Sequence, residues 1–416
     1  MTDATAQLTT ADGRPLKAAL AASMAVRRRR AFLLVAPLFL FILISFIIPI
    51  GQMLLQSVHN DTFSSAVPAL SAWFDENPQG SEIDEAAYAA LAADLKLMKA
   101  EKTAGSAGTR INYDVAGTRS LFTSTARKAD KLEAPFKEAI LAAEPKWDDP
   151  NLWRAMRSAS NPYTIDFYLA ALDMTRDETG AIVAVDEGQA IYKKLFWRTL
   201  SLSLQITALC LLLGFPIAHL LATLPMRKAM LLMILVLLPF WTSLLVRTTS
   251  WMVLLQSQGV LNDLLVGIGL IDDEGRIQMM YNQTGTIIAM THILLPFTIL
   301  PLYSVMKTIP PSYVRAARSL GATSWTAFRR VYLPQTLPGI GAGGLLVFIL
   351  AMGYYLTPAL VGGADGQMIS NMIAFHMQKS LNWSLAAALA AMLLAIVLIF
   401  FWIYDRLVGI DKMKLG

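Results

Sequence analysis

The chain has 416 residues, of which 55% are hydrophobic and only 16% are charged, and its mean hydropathy is +0.49. These values lie outside the range of soluble globular proteins and indicate a membrane protein. The formal net charge of +5 is too small to suggest a nucleic-acid partner. The single cysteine, Cys210, lies in an apolar run, so no disulfide framework is predicted and Cys210 is expected to be a small buried hydrophobe.

Six apolar segments are long enough to cross a lipid bilayer, since a spanning helix needs about 20 mostly apolar residues. The segments are 31–55, 199–224, 229–255, 286–306, 337–361 and 384–407. The first is too long and too far from the N-terminus for a cleaved signal sequence, so we expect a signal anchor. The predicted fold class is therefore an all-α membrane protein with six transmembrane helices.

Basic residues predict the orientation of these segments, because loops that stay in the cytoplasm are enriched in Lys and Arg. Four arginines at 27–30 precede the first segment, and the loop 307–336 has five basic residues and no acidic one. Arg406, Lys412 and Lys414 follow or end the last segment. The sequence thus predicts a multi-pass membrane protein with both termini in the cytoplasm.

This topology divides the chain into five parts. They are a cytoplasmic tail (1–30), the first transmembrane helix (31–57), an extracytoplasmic insertion (58–195), a core domain of helices two to six (196–407) that includes the loop 307–336, and a second cytoplasmic tail (408–416).

The polar insertion 58–195 shows helical patterns. Ser81 and Asp84 have the spacing of a capping box, and apolar residues follow at helical intervals. Further patterns cover 124–144, interrupted by Pro135, and 149–174, while the glycines within 105–108 predict a flexible break. We therefore expect a small, mostly helical subdomain. Its role stays open between contact with a solute-delivering partner and a spacer that packs on its own membrane domain.

The predicted cytoplasmic loop 307–336 starts at two prolines that prevent the fourth span from continuing as a helix. Ser312 is expected to cap a short helix over 313–320, which Gly321 ends in the left-handed conformation. A second amphipathic piece follows around Trp325. Such a loop either lies on anionic lipid or docks on a soluble protein, and these residues alone leave both possibilities open.

The spacing within this loop resembles a family motif. The loop contains two alanines, then three residues, a glycine, nine residues and a hydrophobic-x-Leu-Pro ending. This pattern is similar to the EAA loop of permease subunits of ATP-binding-cassette (ABC) importers. In that family the loop forms a coupling helix that sits in a cleft of the ATPase subunit. The resemblance implies an ATPase-docking surface formed by Arg315, Ala316, Ala317, Arg318, Gly321, Val331, Leu333 and Pro334.

One position of the loop departs from the family pattern. Arg315 occupies the place that normally holds an acidic residue. A contact that the family makes through a carboxylate is therefore altered, and we expect the partner ATPase to present a compensating acid.

The resemblance covers about 196–407 together with the first span. The motifs at 238–243, 295–302 and 358–363 are similar to those of spermidine/putrescine-type permeases, whereas the insertion is not part of that pattern. The resemblance implies the type I ABC importer permease fold and favours a polyamine, such as putrescine or spermidine, as the solute. It also implies a location in a bacterial inner membrane, a second permease subunit in a heterodimer, two ATPase subunits that carry ATP and Mg, and a periplasmic binding protein. No cofactor or metal is expected in this chain.

Polar and aromatic side chains in or beside the spans are candidates for the solute path. They are Trp241, Thr242, Arg247, Trp251, Tyr354, Tyr355 and Asp365. The aromatic rings would hold an organic cation by cation–π attraction, although aromatic residues also anchor spans at membrane interfaces. Arg247 is predicted near the outer boundary, where reaching to the surface is favoured over a gate or a solute contact. Asp365 is the one acid near the outer mouth, and it also suits the capping of a turn.

Catalysis is not expected of this chain. It has no phosphate-binding loop, so ATP must bind to another chain. His219 and His292 have no partner at metal-ligand spacing and are expected to be hydrogen-bonded helix residues. The alternative function is a secondary transporter or channel for a small organic solute with an interfacial loop. Proton coupling needs carboxylates within the membrane, and the spans contain none before Asp405, at the end of the sixth.

Overall fold

The computed structural model describes residues 16–78, 80–177 and 180–408, and the chain divides into two compact units, Met1–Gln56 and Ser57–Gly416. In the first unit, helix α1 (Leu16–Ile42) continues through a π-helical turn (Leu43–Ile47) into α2 (Ile48–Gln56). The helix thus begins well before the predicted span at residue 31. Much of the two predicted tails, including Lys412 and Lys414, lies outside the described residues.

The insertion opens the second unit and is mostly helical, as predicted. Its helices are α3 (Pro68–Glu76), α4 (Glu85–Glu101), α5 (Ala104–Asn112), α6 (Thr118–Lys128), α7 (Phe136–Ala143), α8 (Pro150–Ser160) and α9 (Asp166–Ala171). An antiparallel hairpin of β1 (Met174–Arg176) and β2 (Ile182–Ala184) follows. The helical pattern predicted up to residue 174 therefore ends early, because the chain turns into this hairpin.

Helix α4 shows what holds the insertion together. Asp84 caps it by accepting a hydrogen bond from the backbone N–H of Ala87 at 2.9 Å, so the prediction that Ser81 starts a capping box was wrong. The apolar residues predicted on its inner face are all buried, namely Tyr88, Leu91, Leu95 and Met98. They pack in one core with Phe122 and Trp147, which are fully buried.

The predicted flexible break at 105–108 was also wrong, since these residues lie within α5. A Cβ atom added at Gly108 would come within 2.9 Å of the Cα atom of Arg119. The glycine therefore allows α5 and α6 to approach closely, which is a packing role. The interruption predicted at Pro135 is present, as this residue lies between α6 and α7.

The insertion packs on the helices of its own unit. In α9, Phe167 and Ala171 share a buried cluster with Leu195, Leu385 and other apolar residues of the membrane helices. Hydrogen bonds add to this contact, including one from Asn60 Nδ2 to Ser384 Oγ at 2.9 Å. This arrangement supports the spacer role, and contact with a solute-delivering partner stays a prediction.

The remaining helices include the apolar ones. They are α10 (Tyr192–Thr223), α11 (Met226–Leu237), α12 (Leu244–Leu254), α13 (Val260–Gly267), α14 (Gln283–Thr308), α15 (Pro311–Ser319), α16 (Ser324–Ala327), α17 (Leu333–Gly353), α18 (Leu356–Val361), α19 (Gly363–Gly366), α20 (Ile369–Gln378) and α21 (Trp383–Val408). Among the described residues, five helices are long and apolar enough to span a bilayer, or six if a bent pair counts as one span. Helix α14 is the most buried of them and packs against both α10 and α17.

Two predicted spans differ from the structure. The third is broken, because Met226–Trp241 and Leu244–Leu254 meet at an angle of 97°. Pro239 lacks a backbone N–H donor, and the side chain of Ser243 accepts from Val246 N at 3.2 Å to begin the new helix. The fifth predicted span, 337–361, contains a second break, since α17 ends at Gly353 and α18 starts at Leu356.

Candidate coupling surface and solute path

Helix α15 forms the first part of the predicted docking surface. It begins at Pro311, whose ring suits the first helical position because that residue needs no N–H donor. Pro310 precedes it without a side-chain hydrogen bond, so the prediction that Ser312 caps this helix was wrong. The predicted helix 313–320 is thus present but shifted by one or two residues.

The outward face of α15 is basic. Arg315, Ala316 and Arg318 are exposed, and Ala317 is half-buried. Val314 faces the other way and packs against the buried cluster of α10 and α14. Within the described chain, neither arginine forms an ion pair, so both guanidinium groups are open to a partner.

Gly321 ends this helix with φ of +89°, which confirms the predicted left-handed conformation. Its backbone N–H donates to the carbonyl of Arg318 at 3.0 Å, and Ala322 N donates to the carbonyl of Ala317 at 3.1 Å. A Cβ atom added at Gly321 would meet nothing within 4 Å. The backbone angle, and not lack of space, is therefore what requires glycine here.

The second part of the loop is attached to the membrane helices through aromatic rings. Phe328 stacks on Trp325 and on Tyr332, with ring centroids 5.8 Å apart in both pairs. The hydroxyl of Tyr332 lies 3.0 Å from Nδ1 of His219 on α10, which confirms His219 as a hydrogen-bonded helix residue. This link was missed from the sequence, because the two residues are 113 positions apart.

Three further docking candidates lie at the end of the loop. Val331 belongs to a π-helical turn, Phe328–Tyr332, and Leu333 and Pro334 begin α17. Val331 and Leu333 are half-buried, and Pro334 is exposed. The structure therefore places these residues on a separate element from α15, and their contact with the ATPase stays a prediction.

The bend between α11 and α12 holds the first candidate path residues. Trp241 is 90% exposed, and Thr242 Oγ1 donates to the carbonyl of Pro239 at 2.8 Å. An exposed indole at a sharp helix break is available to a lipid, a solute or another subunit.

Arg247, Trp251 and Tyr354 form a second group around α14. Trp251 Nε1 donates to Nδ1 of His292 at 3.0 Å, which confirms His292 as a hydrogen-bonded helix residue. Arg247 is half-buried and interacts electrostatically with His292 and Tyr354. Its Nε atom is buried without a hydrogen-bond partner, so at least this part of the guanidinium lies inside the protein, and its predicted reach to the outer surface stays a prediction.

Tyr355 and Asp365 lie outside that group. Tyr355 is 43% exposed, and its carbonyl accepts from Asn371 Nδ2 at 2.7 Å. Asp365 is exposed and pairs with Arg198 at 3.6 Å, while Arg198 Nη1 donates to the carbonyl of Ala364 at 2.7 Å. The sequence analysis did not predict the role of Arg198. A basic residue at the start of an apolar helix, in a chain with one acid near the predicted outer mouth, was a signal that could have found it.

The four aromatic candidates, all in the described part of the chain, do not form one lining. No ring contact joins any two of them.

Comparison with known proteins places these features in a family. Residues 210–409 match the family described as "Binding-protein-dependent transport system inner membrane component". The chain is 37% identical over 216 residues to the spermidine/putrescine transport system permease protein PotB of Haemophilus influenzae, a match that covers 52% of this chain and 75% of that protein. The chain belongs to this family. It is a permease subunit of an ABC importer, a transport component and not an enzyme.

A second relative agrees with this assignment. The chain is 36% identical over 222 residues to the PotB protein of Escherichia coli K12, covering 53% of this chain and 80% of that protein. Its backbone is similar to a chain in the crystal structure of a bacterial alginate ABC transporter in complex with an alginate pentasaccharide-bound periplasmic protein. That similarity has 20% identity and a TM-score of 0.42, and it covers 56% of this chain and 85% of the other. As a member of the family, this permease is a multi-pass inner-membrane protein that works with an ATPase and a binding protein.

Proposed function

We propose that this permease imports a polyamine such as putrescine or spermidine. The observation that carries the proposal is the 36–37% identity to spermidine/putrescine permeases over three quarters or more of their length. The exposed Trp241 and the half-buried Trp251 and Tyr354 would offer aromatic faces to an organic cation along the path. Asp365 supplies a carboxylate at the mouth, although Arg198 partly neutralises it.

The loop 307–336 is the proposed site of coupling to the ATPase subunits. Its support is geometric: α15 presents Arg315, Ala316 and Arg318 on an exposed face, and Val314 anchors the opposite face in the buried cluster. Because α15 is held in this way, a movement of the docked ATPase subunit would move α15 as a rigid element together with α10 and α14. ATP and Mg would bind to the two partner ATPase subunits and not to this chain.

The assembly completes the proposal. A second permease, different in sequence, would form the other half of the path, and a periplasmic binding protein would deliver the solute. Both termini would lie in the cytoplasm, since the basic loop 307–336 must face the ATPase. ATP binding would then rock the two helix bundles from inward-open to outward-open, and the solute would enter the cavity between them.

Uptake measurements test this function. The permease is produced with the binding protein, second permease and ATPase of its own system in cells that lack polyamine import, and uptake of radiolabelled putrescine and spermidine is measured. We expect uptake that requires all four chains. Uptake that persists without the ATPase would favour the secondary-transporter alternative, and a system that takes up another solute but no polyamine would contradict the solute assignment.

A further inference from the structure

The insertion contains a cleft of about 830 Å³ that its predicted spacer role does not explain. The cleft is lined by α8, α9, the β-hairpin and the segment 113–115 that follows α5. It reaches Tyr192 at the start of α10 and Leu385 in the first turn of α21. Its volume falls within the usual range of small-molecule sites, about 300–1,000 Å³. The side chains on its wall indicate which chemical group it takes.

The carboxylates that line the cleft already have partners within the protein. Asp166 accepts a hydrogen bond from Arg176 Nε at 2.9 Å, and Asp114 accepts one from Arg110 Nη1 at 2.7 Å. Asp173 accepts the backbone N–H groups of residues 191–193, at 2.7–3.0 Å. Each carboxylate therefore has a partner, although Asp114 is exposed and accepts through Oδ2 alone. A cationic ligand would have to compete with arginines or backbone donors for these groups.

The guanidinium groups of the same wall keep unused donors. Arg154 is half-buried on α8 and, among the described residues, forms no hydrogen bond and no ion pair, although it interacts electrostatically with Asp114. Arg157 lies one turn further along α8, and its Nη1 donates to the carbonyls of Phe74 and Asn77. Its guanidinium also lies over the rings of Phe74 and Trp73, so among the described residues only Nε and Nη2 lack a hydrogen-bond partner. The cleft thus has an excess of guanidinium donors, whose planar fork matches a phosphate group.

Part of the cleft wall comes from the first residues of two apolar helices, Tyr192 of α10 and Leu385 of α21. Helix α21 has 26 residues and is about 39 Å long, which exceeds the hydrocarbon core of about 30 Å, so a spanning α21 extends beyond the core towards the lipid headgroups. Trp383 at the start of α21 is 48% exposed, and Trp197 in the second turn of α10 is 73% exposed. Exposed tryptophans at this height are typical of the lipid–water interface. Because Leu385 is part of the cleft wall, an α21 that spans the bilayer would bring the cleft close to phospholipid headgroups.

We propose that this cleft binds the phosphate-bearing headgroup of a phospholipid, with Arg154 as the principal phosphate ligand and Arg157 as the second. The headgroup phosphate would accept hydrogen bonds from the guanidinium of Arg154, which has only the more distant charge of Asp114 beside it, and it would join α8 of the insertion to the membrane beside α21. Binding of the lipid would stabilise the position of the insertion over the bilayer, independently of the solute.

Native mass spectrometry of the purified full-length protein tests the site. After removal of lipid in detergent, phosphatidylglycerol and phosphatidylethanolamine are added separately, and diacylglycerol serves as the lipid without a phosphate. We expect both phospholipids to bind and diacylglycerol not to bind. Arg154→Gln should weaken phospholipid binding by about tenfold or more, as expected for loss of a charge-assisted hydrogen bond.

Matched variants keep the test decisive. Arg119→Gln removes an exposed arginine of the insertion that does not line the cleft, and it should leave binding unchanged. Arg154→Lys keeps the positive charge but loses the planar guanidinium, so phospholipid binding should be weakened to an intermediate degree. This variant tests the site even if Arg154→Gln does not fold. Equal binding by the wild type, Arg154→Gln and Arg154→Lys would overturn the proposal. Inorganic phosphate is added in a separate measurement. Binding of inorganic phosphate as tight as that of the phospholipids would also overturn the proposal, because the cleft would then be a site for a soluble anion.

Discussion

Asp94 is a carboxylate in the core of the insertion, where it is only 1% exposed. Its two oxygens accept hydrogen bonds from the backbone N–H groups of Ala69 at 3.1 Å and Leu70 at 2.7 Å, at the start of α3. Burial raises the pKa of Asp94 to about 6, and the two hydrogen bonds oppose this rise without cancelling it. The residue therefore joins α3 to α4 at the cost of holding a poorly solvated charge at neutral pH.

We expect this charge to make the insertion less stable as the pH rises from about 4 to 6. The folded pKa of Asp94 is above the unfolded value of 3.8, so the folded state binds more protons in this window and stability falls as the pH rises. The effect is about 3 kcal/mol for a shift of about two units. Hydrogen exchange of α4 in the full-length protein, corrected for intrinsic rates, measures it.

The variant Asp94→Asn should remove this pH dependence, while the loss of one acceptor costs about 1 kcal/mol at all pH values. Asp75→Asn, on the exposed side of α3, is the control, and its stability should depend on pH as that of the wild type does. If the stability of Asp94→Asn falls between about pH 4 and 6 as steeply as that of the wild type, another group titrates in this range.

Arg315 is the residue at which the loop departs from its family, and the structure leaves it exposed without an ion pair. We expect Arg315→Glu to weaken association with the ATPase by about tenfold or more, because a reversed charge would face the compensating acid. The measurement is co-purification of the ATPase subunit at several salt concentrations, since ionic contacts weaken as salt rises. Arg227→Glu, an exposed base at the start of α11, is the control. Tighter association of Arg315→Glu would show that the partner's surface is basic.

At the scale of elements, the coupling loop is two short helices separated by a glycine turn. Helix α15 is held by Val314, and the second piece is held by Phe328 and by the hydrogen bond between Tyr332 and His219. The turn at Gly321 sets the direction between the two pieces, because its left-handed backbone is open to few other residues. The loop is therefore expected to move as one body with the inner ends of α10 and α14.

Replacement of Gly321 should uncouple ATP hydrolysis from uptake. A β-branched residue at φ of +89° costs roughly 1–2 kcal/mol, so Gly321→Val is expected to change the turn while the open space around it keeps the bundle intact. ATP hydrolysis and polyamine uptake are measured in the same proteoliposomes. Gly275→Val also adds bulk where nothing lies within 4 Å, but without a positive φ, and it should leave coupling unchanged. Normal coupling in Gly321→Val would exclude a role for this turn.

At the scale of the whole second unit, the insertion and the membrane helices share buried surface. Phe167 of α9 packs in the cluster that also contains Leu195 and Leu389, and the carboxylate of Asp173 caps the start of α10. The insertion is thus part of the folded unit and is not tethered by its ends alone.

Phe167→Ala should therefore loosen the membrane helices as well as the insertion. Loss of a buried phenylalanine costs about 3–5 kcal/mol, and here the cavity would lie against α20 and α21. We expect faster hydrogen exchange at the starts of α10 and α21. Phe122→Ala, in the insertion's own core, should increase exchange within the insertion alone. If both variants leave α21 protected, the shared cluster does not hold the two parts together.

Local physics made a large part of this protein predictable from its sequence. The apolar segments, the helical insertion and the left-handed Gly321 follow from bilayer thickness, helical periodicity and backbone sterics, each of which acts on neighbouring residues. Cap positions were less predictable, because Ser81 and Asp84 both suit a cap and packing selected Asp84.

The sequence by itself determined the membrane class, the basic loop and the family, since these depend on composition and on the spacing of adjacent residues. Only the tertiary structure decided which distant residues meet. It bent the third span by 97°, joined Tyr332 to His219 and Arg198 to Asp365, and left Arg154 in its cleft without a hydrogen-bond partner among the described residues. The physical reason is that such contacts depend on how whole helices cross, which is set by the sum of many weak packing interactions and leaves no mark in the spacing of the residues that come together.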